Sequence, residues 1–220
     1  MSHQTPSSLR NLSALPASAV KKSSLCNLLV FLSLLVFLSA CQQKQDPNRP
    51  RIEIQTSKGD ILIELYPQRA PKTVAAFLSY VDSGYYYNSN FYRALTMDNQ
   101  PSNAPKTELI QGGIWKTNNK LAVRIPGIPH ESTEQTKLLH DEGVLSLARA
   151  EPGTAGTEFF ICLSKQPGLD YGGENVPDKQ GYATFGKVVK GMSVVRKISR
   201  QNENDQYFSP PVAIYNIVRK

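Results

Sequence analysis

Short apolar runs that alternate with polar residues recur from residue 51 onward and constrain the fold most. The first two lie in RIEIQTSKGDILIELY, residues 51–66, where Ile52 and Ile54 share one face. A period of two is typical of half-buried strands, and the Lys-Gly-Asp sequence between the runs predicts a tight turn. We therefore predict that this part of the chain opens with a β-hairpin.

Further segments have the pattern of short strands, and two have that of helices. After Pro71, apolar residues spaced i, i+3, i+4 and i+7 predict an amphipathic helix that ends near Gly84, and Val194 to Ile198 predict a shorter one. The strand segments are FYRA, LIQ, VLSLARA, TEFFICL, YATFGKVV and VAIYNIV. Many short strands with two helices predict an all-β, mainly β fold, either a barrel or a sandwich.

The N-terminal residues have the charge and hydropathy pattern of a secretory signal. Residues 1–24 contain three basic residues and no acidic one, and residues 25–38 are almost wholly apolar. These are the n-region and the h-region of a signal peptide. An apolar helix of this length extends only about 21 Å, whereas a spanning helix needs ~20 residues. A short membrane anchor that stays uncut is the alternative.

The sequence LSAC, residues 38–41, resembles a bacterial lipobox, in which the cysteine is acylated on its sulfur and becomes the new N-terminus. The resemblance implies a lipoprotein signal peptide at 1–40 and lipidation of Cys41. Residues 41–50 would form a polar tether and residues 51–220 one domain. Gln42, rather than an aspartate, follows the cysteine, which implies the outer membrane. We expect a lipid-anchored protein of the cell envelope that faces the periplasm.

The charge balance argues against a nucleic-acid partner. Removal of residues 1–40 takes three basic residues and no acidic residue from a net charge of +7, which leaves +4. No cluster of Lys and Arg occurs in the remainder.

Few side chains of the predicted domain suit metal or nucleophile chemistry. Cys162 lies in the apolar run FFICL, which predicts a small buried thiol. His130 and His140 have no partner at the spacing of metal ligands, so we expect no metal site, no cofactor and no Ser-His-Asp triad. We interpret His140 and the adjacent Asp141 as a solvated turn pair.

The candidate site lies in FYRALTMDNQPSNAPKTELIQGG, residues 91–113. Arg93 follows two aromatic residues, and Gln111 precedes two glycines that let the chain pass close to another backbone. The Pro-, Asn- and Ser-rich residues between them predict an exposed loop, so the fold must bring the two side chains together. Arg93 alone would suit a surface ion pair, but with Gln111, the glycines and the FFICL strand it favours a functional site.

Several motifs in order resemble the cyclophilin-type peptidyl-prolyl isomerases over residues 51–219. They are SKGDILIELYPQRAPKTVAAFLSYVDSGYY, the FYR and IQGG pair, GVLSLARAEPGTAGTEFFICL and GYATFGKVVKGMSVVRKI. The resemblance implies a closed eight-stranded antiparallel barrel capped by two α-helices. It also implies an enzyme that isomerises X–Pro peptide bonds.

The resemblance assigns a role to each candidate residue by its position. Arg93 falls on the family's catalytic arginine and Gln111 on its substrate-positioning glutamine. The other positions belong to the proline pocket, to the strand that pairs with the substrate backbone, and to the rim. In that order they are Phe160, Leu109 and Leu169, then Ala148, Arg149 and Ala150, then Tyr182.

Some positions depart from the residues usual in the family, and the loop between Arg93 and Gln111 is longer than usual. These departures bear on substrate preference and on inhibition by cyclosporin. They are Tyr92 for a histidine, Leu109 for a methionine, Glu108 for a phenylalanine, Glu158 for a glutamine and Gly168 for an aromatic residue.

The sequence as a whole predicts a monomeric isomerase, anchored by lipid, whose partners are proline-containing, unfolded or maturing envelope polypeptides. One alternative is a catalytically weak proline-binding chaperone module anchored to the membrane, which Gly168, Glu108 and Glu158 at the margin of the site would suit. A purely structural envelope lipoprotein is a third possibility, and only the lipobox favours it.

Overall fold

The computed structural model describes residue 46 and residues 48–220. The predicted signal peptide, the predicted lipidation site Cys41 and most of the predicted tether therefore lie outside the described residues. Within the described ranges, no helix is both long enough and apolar enough to cross a membrane.

Nine strands and four short α-helices make up the described part of the chain, with one 3-10 turn at Pro167–Leu169. The strands are β1 Arg51–Thr56, β2 Gly59–Leu65, β3 Ser89–Leu95, β4 Leu109–Gly113, β5 Val144–Leu147, β6 Phe159–Cys162, β7 Ala183–Lys190, β8 Glu203–Asn204 and β9 Tyr207–Arg219. The helices are α1 Pro71–Asp82, α2 Asn119–Ala122, α3 Thr133–Thr136 and α4 Met192–Ser199.

The sheet closes on itself into an antiparallel barrel. Its strand order is β1-β2-β7-β5-β6-β4-β3-β9-β8, and β1 also pairs with β9. The two-residue β8 forms a hairpin with β9 at the edge, so eight strands make the closed wall. The predicted barrel is confirmed, and α2 and α3 are one-turn helices additional to the two that the sequence predicts.

The opening hairpin shows how the alternating pattern specifies the wall. Ile52 and Ile54 on β1 are fully buried, as are Ile61, Ile63 and Leu65 on β2, so the residues that alternate in the sequence all face the core. The turn between the strands requires Gly59, whose φ is +127°, because residues with a Cβ rarely adopt that conformation.

Helix α1 covers one end of the barrel with its apolar face. It begins at Pro71, where a missing N–H costs no hydrogen bond. Val74, Phe77 and Leu78 are buried in the core. The carboxylate of Glu131 accepts hydrogen bonds from the backbone N–H groups of the first turn, at Lys72 and Thr73, which satisfies two donors that have no partner within the helix.

Candidate active site

Strands β3 and β4 bring Arg93 and Gln111 together. They are directly opposite partners in the antiparallel ladder, although 18 residues separate them along the chain. Side chains at opposite positions of such a pair lie on the same face of the sheet. The fold therefore places together the two residues that the sequence analysis singled out.

Two glutamine side chains hold the Arg93 guanidinium. Its Nη1 donates to Gln111 Oε1 at 3.3 Å, while Nε and Nη2 donate to Gln206 Oε1 at 3.1 and 2.6 Å. A guanidinium has five N–H groups. Described residues engage three of them, so one N–H on each terminal nitrogen remains for a ligand.

Sequence reasoning missed Gln206. It lies in the turn between β8 and β9 with a φ of +73°, and its backbone carbonyl accepts a hydrogen bond from the Ala94 N–H. Its side-chain Nε2 donates to the Asn99 carbonyl at 3.1 Å. Gln206 thus connects Arg93 to the long loop at 96–108.

Hydrogen bonds between side chains and backbone of the loop itself stabilise its conformation. Asn99 Oδ1 accepts from the Thr96 N–H at 2.9 Å, and Gln100 Nε2 donates to the carbonyls of Thr96 and Thr107 at 2.6 and 2.7 Å. These bonds satisfy backbone groups that have no strand partner there. The predicted loop is therefore an ordered wall beside the site.

The three residues assigned to the proline pocket form a small apolar cluster that is separate from the main core. Phe160, Leu109 and Leu169 pack with Cys162 and Val176. Leu95, Ala148 and Tyr182 pack at its edge. The exposed fractions of Phe160, Leu109 and Leu169 are only 3%, 6% and 4%, so other side chains cover most of their surface.

The neighbouring phenylalanines divide between the two clusters as the alternation of a strand requires. Phe159 is fully buried in the main core, where its ring meets Phe77 edge-on at 5.8 Å. Phe160 faces the small cluster, and Tyr182 packs edge-on against it at 5.4 Å.

The Asn175 side chain packs against Gly168, the position where the family resemblance expects an aromatic residue. A Cβ on Gly168 would lie 2.7 Å from the Asn175 side chain, which is closer than packing allows. Asn175 Nδ2 donates to Thr107 Oγ1 at 2.7 Å and to the Lys106 carbonyl at 3.2 Å. The long loop and the loop that follows Leu169 are therefore joined above the apolar cluster.

An open cavity of about 390 Å³ adjoins Arg93. Its lining includes Gln111 and all three residues of the segment 148–150, but not Phe160, Leu109 or Leu169. The predicted site residues thus fall into two groups, those that line the cavity and those in the apolar cluster, and Ala148 contacts both.

The Arg149 side chain is engaged within the protein. Its guanidinium forms an ion pair with Asp178 at 2.6 Å, donates to the Gly181 carbonyl and lies 5.1 Å from the Tyr182 ring centroid. The hydrogen bond from Arg149 lowers the pKa of Asp178. Only the backbone of Arg149 is therefore suited to pair with a substrate, and its side chain supports the rim residue Tyr182.

Tyr92 and Glu158 form a hydrogen-bonded pair at the floor of the cavity. The Tyr92 hydroxyl donates to Glu158 Oε2 at 2.7 Å and accepts from Gln111 Nε2 at 2.8 Å. Burial raises the pKa of both groups, and the Glu158 charge raises the pKa of Tyr92 further. Gly113 is needed at φ +145° because a Cβ there would collide with the Glu158 carboxylate.

The interpretation of His140 as a solvated turn pair with Asp141 is wrong. His140 is fully buried, and its ring nitrogens lie 2.7 Å from Asp170 Oδ1 and 3.1 Å from Ser146 Oγ. The ring stacks on Phe160 with centroids 5.9 Å apart. Burial lowers the pKa of His140, and Asp170 partly opposes this. The partner lies 30 residues away, so adjacency in sequence misled the interpretation.

No group of three or more His, Cys, Asp or Glu side chains within residues 46 and 48–220 is arranged to hold a metal ion. Cys162 is buried, and its burial raises the thiol pKa. A thiol in that environment is a poor nucleophile, which agrees with its place in the apolar cluster.

Comparison with known proteins identifies the class. The family model for cyclophilin-type peptidyl-prolyl cis-trans isomerases (the Cyclophilin type peptidyl-prolyl cis-trans isomerase/CLD family) matches residues 51–219. Peptidyl-prolyl cis-trans isomerase A of Dickeya dadantii is 35% identical over 153 residues, which cover 69% of this chain and 72% of the relative. Peptidyl-prolyl cis-trans isomerase ppi1 of Schizosaccharomyces pombe is 33% identical over 162 residues, 72% of this chain and 92% of the relative.

Solved structures agree with the sequence relatives. A cyclophilin-type isomerase of Cryptosporidium parvum has a TM-score of 0.61 at 24% identity and covers 78% of this chain and 98% of its own. Its structure in the presence of the dipeptide Ala-Pro has a TM-score of 0.60 at 26% identity, with 77% and 98% coverage. The chain therefore belongs to the cyclophilin-type peptidyl-prolyl cis-trans isomerase family. It is an enzyme of that type, and its substrates are proline-containing peptides.

Proposed function

We propose that Arg93 catalyses rotation about X–Pro bonds in unfolded or maturing polypeptides of the cell envelope, and that a lipid on Cys41 holds the enzyme at the outer membrane. The observation that carries the catalytic role is the Arg93 guanidinium, held between Gln111 and Gln206 beside the apolar cluster. The LSAC sequence after a basic and then apolar N-terminal segment supports the anchor.

Rotation about the X–Pro bond needs electrostatic help rather than covalent chemistry. Resonance in the amide gives a barrier of about 18–20 kcal/mol. At the twisted state the prolyl nitrogen becomes pyramidal and regains a lone pair. A guanidinium N–H that points at this nitrogen binds the twisted state more tightly than either planar isomer, which lowers the barrier.

The residues around Arg93 suit the other tasks of such a catalyst. Phe160, Leu109 and Leu169 offer an apolar surface for the pyrrolidine ring, and Tyr182 borders it. The backbone of 148–150, which follows β5 at the edge of the cavity, would pair with the extended substrate. Gln111 would fix the flanking peptide while it holds Arg93.

The catalytic role is tested by Arg93→Ala. A rate gain of 10⁶ requires roughly 8 kcal/mol, and loss of one preorganised donor costs about 2.7–4 kcal/mol in comparable oxyanion sites. We expect kcat/KM for a proline peptide to fall about 100- to 1,000-fold with the fold retained by circular dichroism. An unchanged turnover would refute the role of Arg93.

A proline-binding chaperone module of weak activity is the second candidate. The observation in its favour is the covered apolar cluster, where Asn175 and Thr107 join two loops above it. This candidate predicts that proline peptides bind while their isomerisation stays near the uncatalysed rate. Rapid isomerisation by the wild-type protein would eliminate it.

The anchor is tested separately in cells. Cys41→Ser removes the only sulfur that the lipobox-like sequence offers for acylation. We expect the variant to leave the membrane fraction, with outer-membrane vesicles of the wild type as the reference. Retention of the variant in the membrane after signal cleavage would contradict the lipid anchor.

A further inference from the structure

Four side chains form a hydrogen-bond chain. It runs from Glu158 through Tyr92 and Gln111 to the Arg93 guanidinium. We propose that Tyr92 and Glu158 are positioning residues that act as a pair, because the Glu158 carboxylate sets the direction of every hydrogen bond from Tyr92 through Gln111 to Arg93. The inference rests on the proposed catalytic role of Arg93, and it adds the groups that hold this residue in place.

The chain begins at a carboxylate that is surrounded by donors. Glu158 Oε1 accepts from the backbone N–H groups of Ile114 and Trp115 at 2.8 and 3.0 Å, and from the Thr157 hydroxyl at 3.1 Å. Its other oxygen, Oε2, faces the Tyr92 hydroxyl at 2.7 Å. Backbone N–H groups can only donate, so Oε1 must be an acceptor and Oε2 is the atom that meets Tyr92.

The hydroxyl of Tyr92 transmits this constraint to the next side chain. A phenol carries one proton, and Tyr92 uses it toward Glu158. At its contact of 2.8 Å with Gln111 it must therefore accept, so the amide nitrogen of Gln111 faces Tyr92. The amide oxygen then faces Arg93 Nη1 at 3.3 Å, where a donor needs it.

Removal of the negative charge of Glu158 would reverse the direction of the hydrogen bonds from Glu158 to Gln111. If Glu158 were protonated, or replaced by glutamine, its remaining acceptor would stay with the backbone donors, and an O–H or N–H would face Tyr92. Tyr92 would then donate to Gln111, whose amide would turn its nitrogen toward Arg93. The Gln111 amide nitrogen and Arg93 Nη1 are both donors, so their hydrogen bond would be lost. Arg93 would then be held by Gln206 alone.

The surroundings of Glu158 favour this reversal as the pH falls. Tyr92 and Arg93 approach it from β3, Tyr86 approaches from the turn after α1, and Lys116 and Arg149 line the same cavity. Burial raises the pKa of Glu158 in spite of its hydrogen bonds. As pH falls, Glu158 therefore takes up a proton before an ordinary exposed carboxyl does, and isomerisation should slow through that pH range.

A double-mutant cycle with a pH profile tests the pair. The rate is measured on the full-length protein by NMR exchange of an Ala-Pro peptide, since this method needs no coupling protease that would fail in acid. We expect Glu158→Gln to lower kcat about tenfold at neutral pH with little change in KM, because positioning of Arg93 matters most at the twisted state. Wild-type kcat should fall as the pH drops through the Glu158 pKa and level off about tenfold lower, near the kcat of the variant, and the variant should lack this dependence.

Tyr92→Phe removes the hydroxyl that joins Glu158 to Gln111. Glu158→Gln should therefore have no further effect on kcat when it is added to Tyr92→Phe. The matched control is Glu131→Gln, a second buried carboxylate with several donors, which should retain the wild-type pH profile. The side-chain amide resonances of Gln111 in the wild type should shift at the pH of the activity loss, and this readout does not depend on any variant folding.

The inference is wrong if Glu158→Gln lowers kcat by the same factor in the wild type and in Tyr92→Phe. It is also wrong if the side-chain amide shifts of Gln111 do not change with pH. If the wild-type protein isomerises the peptide and Glu158→Gln has the same kcat, the inference is wrong, but the proposed role of Arg93 is unaffected. Absence of isomerisation in the wild type would overturn both this inference and the role of Arg93.

Discussion

The Arg93 guanidinium lies between glutamines from two different hairpins. Gln111 belongs to β4, and Gln206 belongs to the turn between β8 and β9. If Arg93 acts at the twisted bond as proposed, a planar guanidinium held on two sides would lose little freedom there, because preorganised donors stabilise developing charge most effectively. Gln206 therefore holds the Arg93 guanidinium together with Gln111, the glutamine that the sequence analysis identified.

Gln206→Leu should lower kcat/KM about tenfold, which corresponds to ~1.4 kcal/mol. The leucine removes both hydrogen bonds to Arg93 and the bond to the Asn99 carbonyl. Gln201→Leu, in the same segment but bonded to Lys197, is the control and should retain the wild-type rate in the peptide isomerisation assay. Equal rates for the two variants would show that the hydrogen bonds from Arg93 to Gln206 do not matter for isomerisation.

Only those residues that lie in a recognisable local sequence motif could be identified from the sequence. Arg93 and Gln111 lie in motifs with apolar and glycine neighbours, so their segments could be recognised. Gln206 lies 113 residues beyond Arg93, in the polar run QNENDQ, where no periodicity distinguishes it. Its role comes from a turn with positive φ and from long-range contact, and neither is visible in composition.

At the scale of elements, the two loops beside the apolar cluster interlock. Asn175 bonds to Thr107 of the long loop and fills the space above Gly168. The alternating strands and α1 could be predicted because burial imposes a period on the sequence. The loops could not, because their shape depends on side-chain bonds to backbone, such as those of Gln100.

Gly168→Ala should reduce the free energy of unfolding by about 1–3 kcal/mol, the usual cost of overpacking. The new methyl group would lie 2.7 Å from the Asn175 side chain. Gly168→Ala combined with Asn175→Gly removes that contact, so the double variant should lose less stability than the sum of the two single variants. Urea unfolding of the four proteins measures this, and strict additivity would contradict the proposed contact.

At the scale of the whole molecule, segments far apart in the sequence bury a histidine against the face of β5 and β6 that is opposite the main core. His140 precedes β5 and joins Ser146 on that strand to Asp170 after the 3-10 turn. The family resemblance predicted the closed barrel correctly, whereas pattern alone left a barrel or a sandwich open. Closure depends on the β1–β9 pairing between the two ends of the domain, which local periodicity does not encode.

The free energy of unfolding should fall as pH drops below about 6.5, the ordinary histidine pKa. Burial lowers the pKa of His140 in the folded protein, so the unfolded chain takes up a proton that the folded protein does not. The loss approaches ~1.4 kcal/mol per pH unit until the folded pKa is reached. His140→Gln should flatten this dependence in urea unfolding, while His130→Gln should keep it. Identical slopes in both variants would contradict the prediction.

The role of Arg93 is tested most directly by measuring binding and exchange of the same Ala-Pro peptide on Arg93→Lys. Lysine keeps the positive charge but lacks the rigid fork that Gln111 and Gln206 hold. If the guanidinium acts at the twisted amide, the exchange rate should fall at least about 100-fold while Kd changes less than about threefold. A parallel loss of binding and exchange, or retention of both, would show that Arg93 does not distinguish the twisted bond from its planar forms.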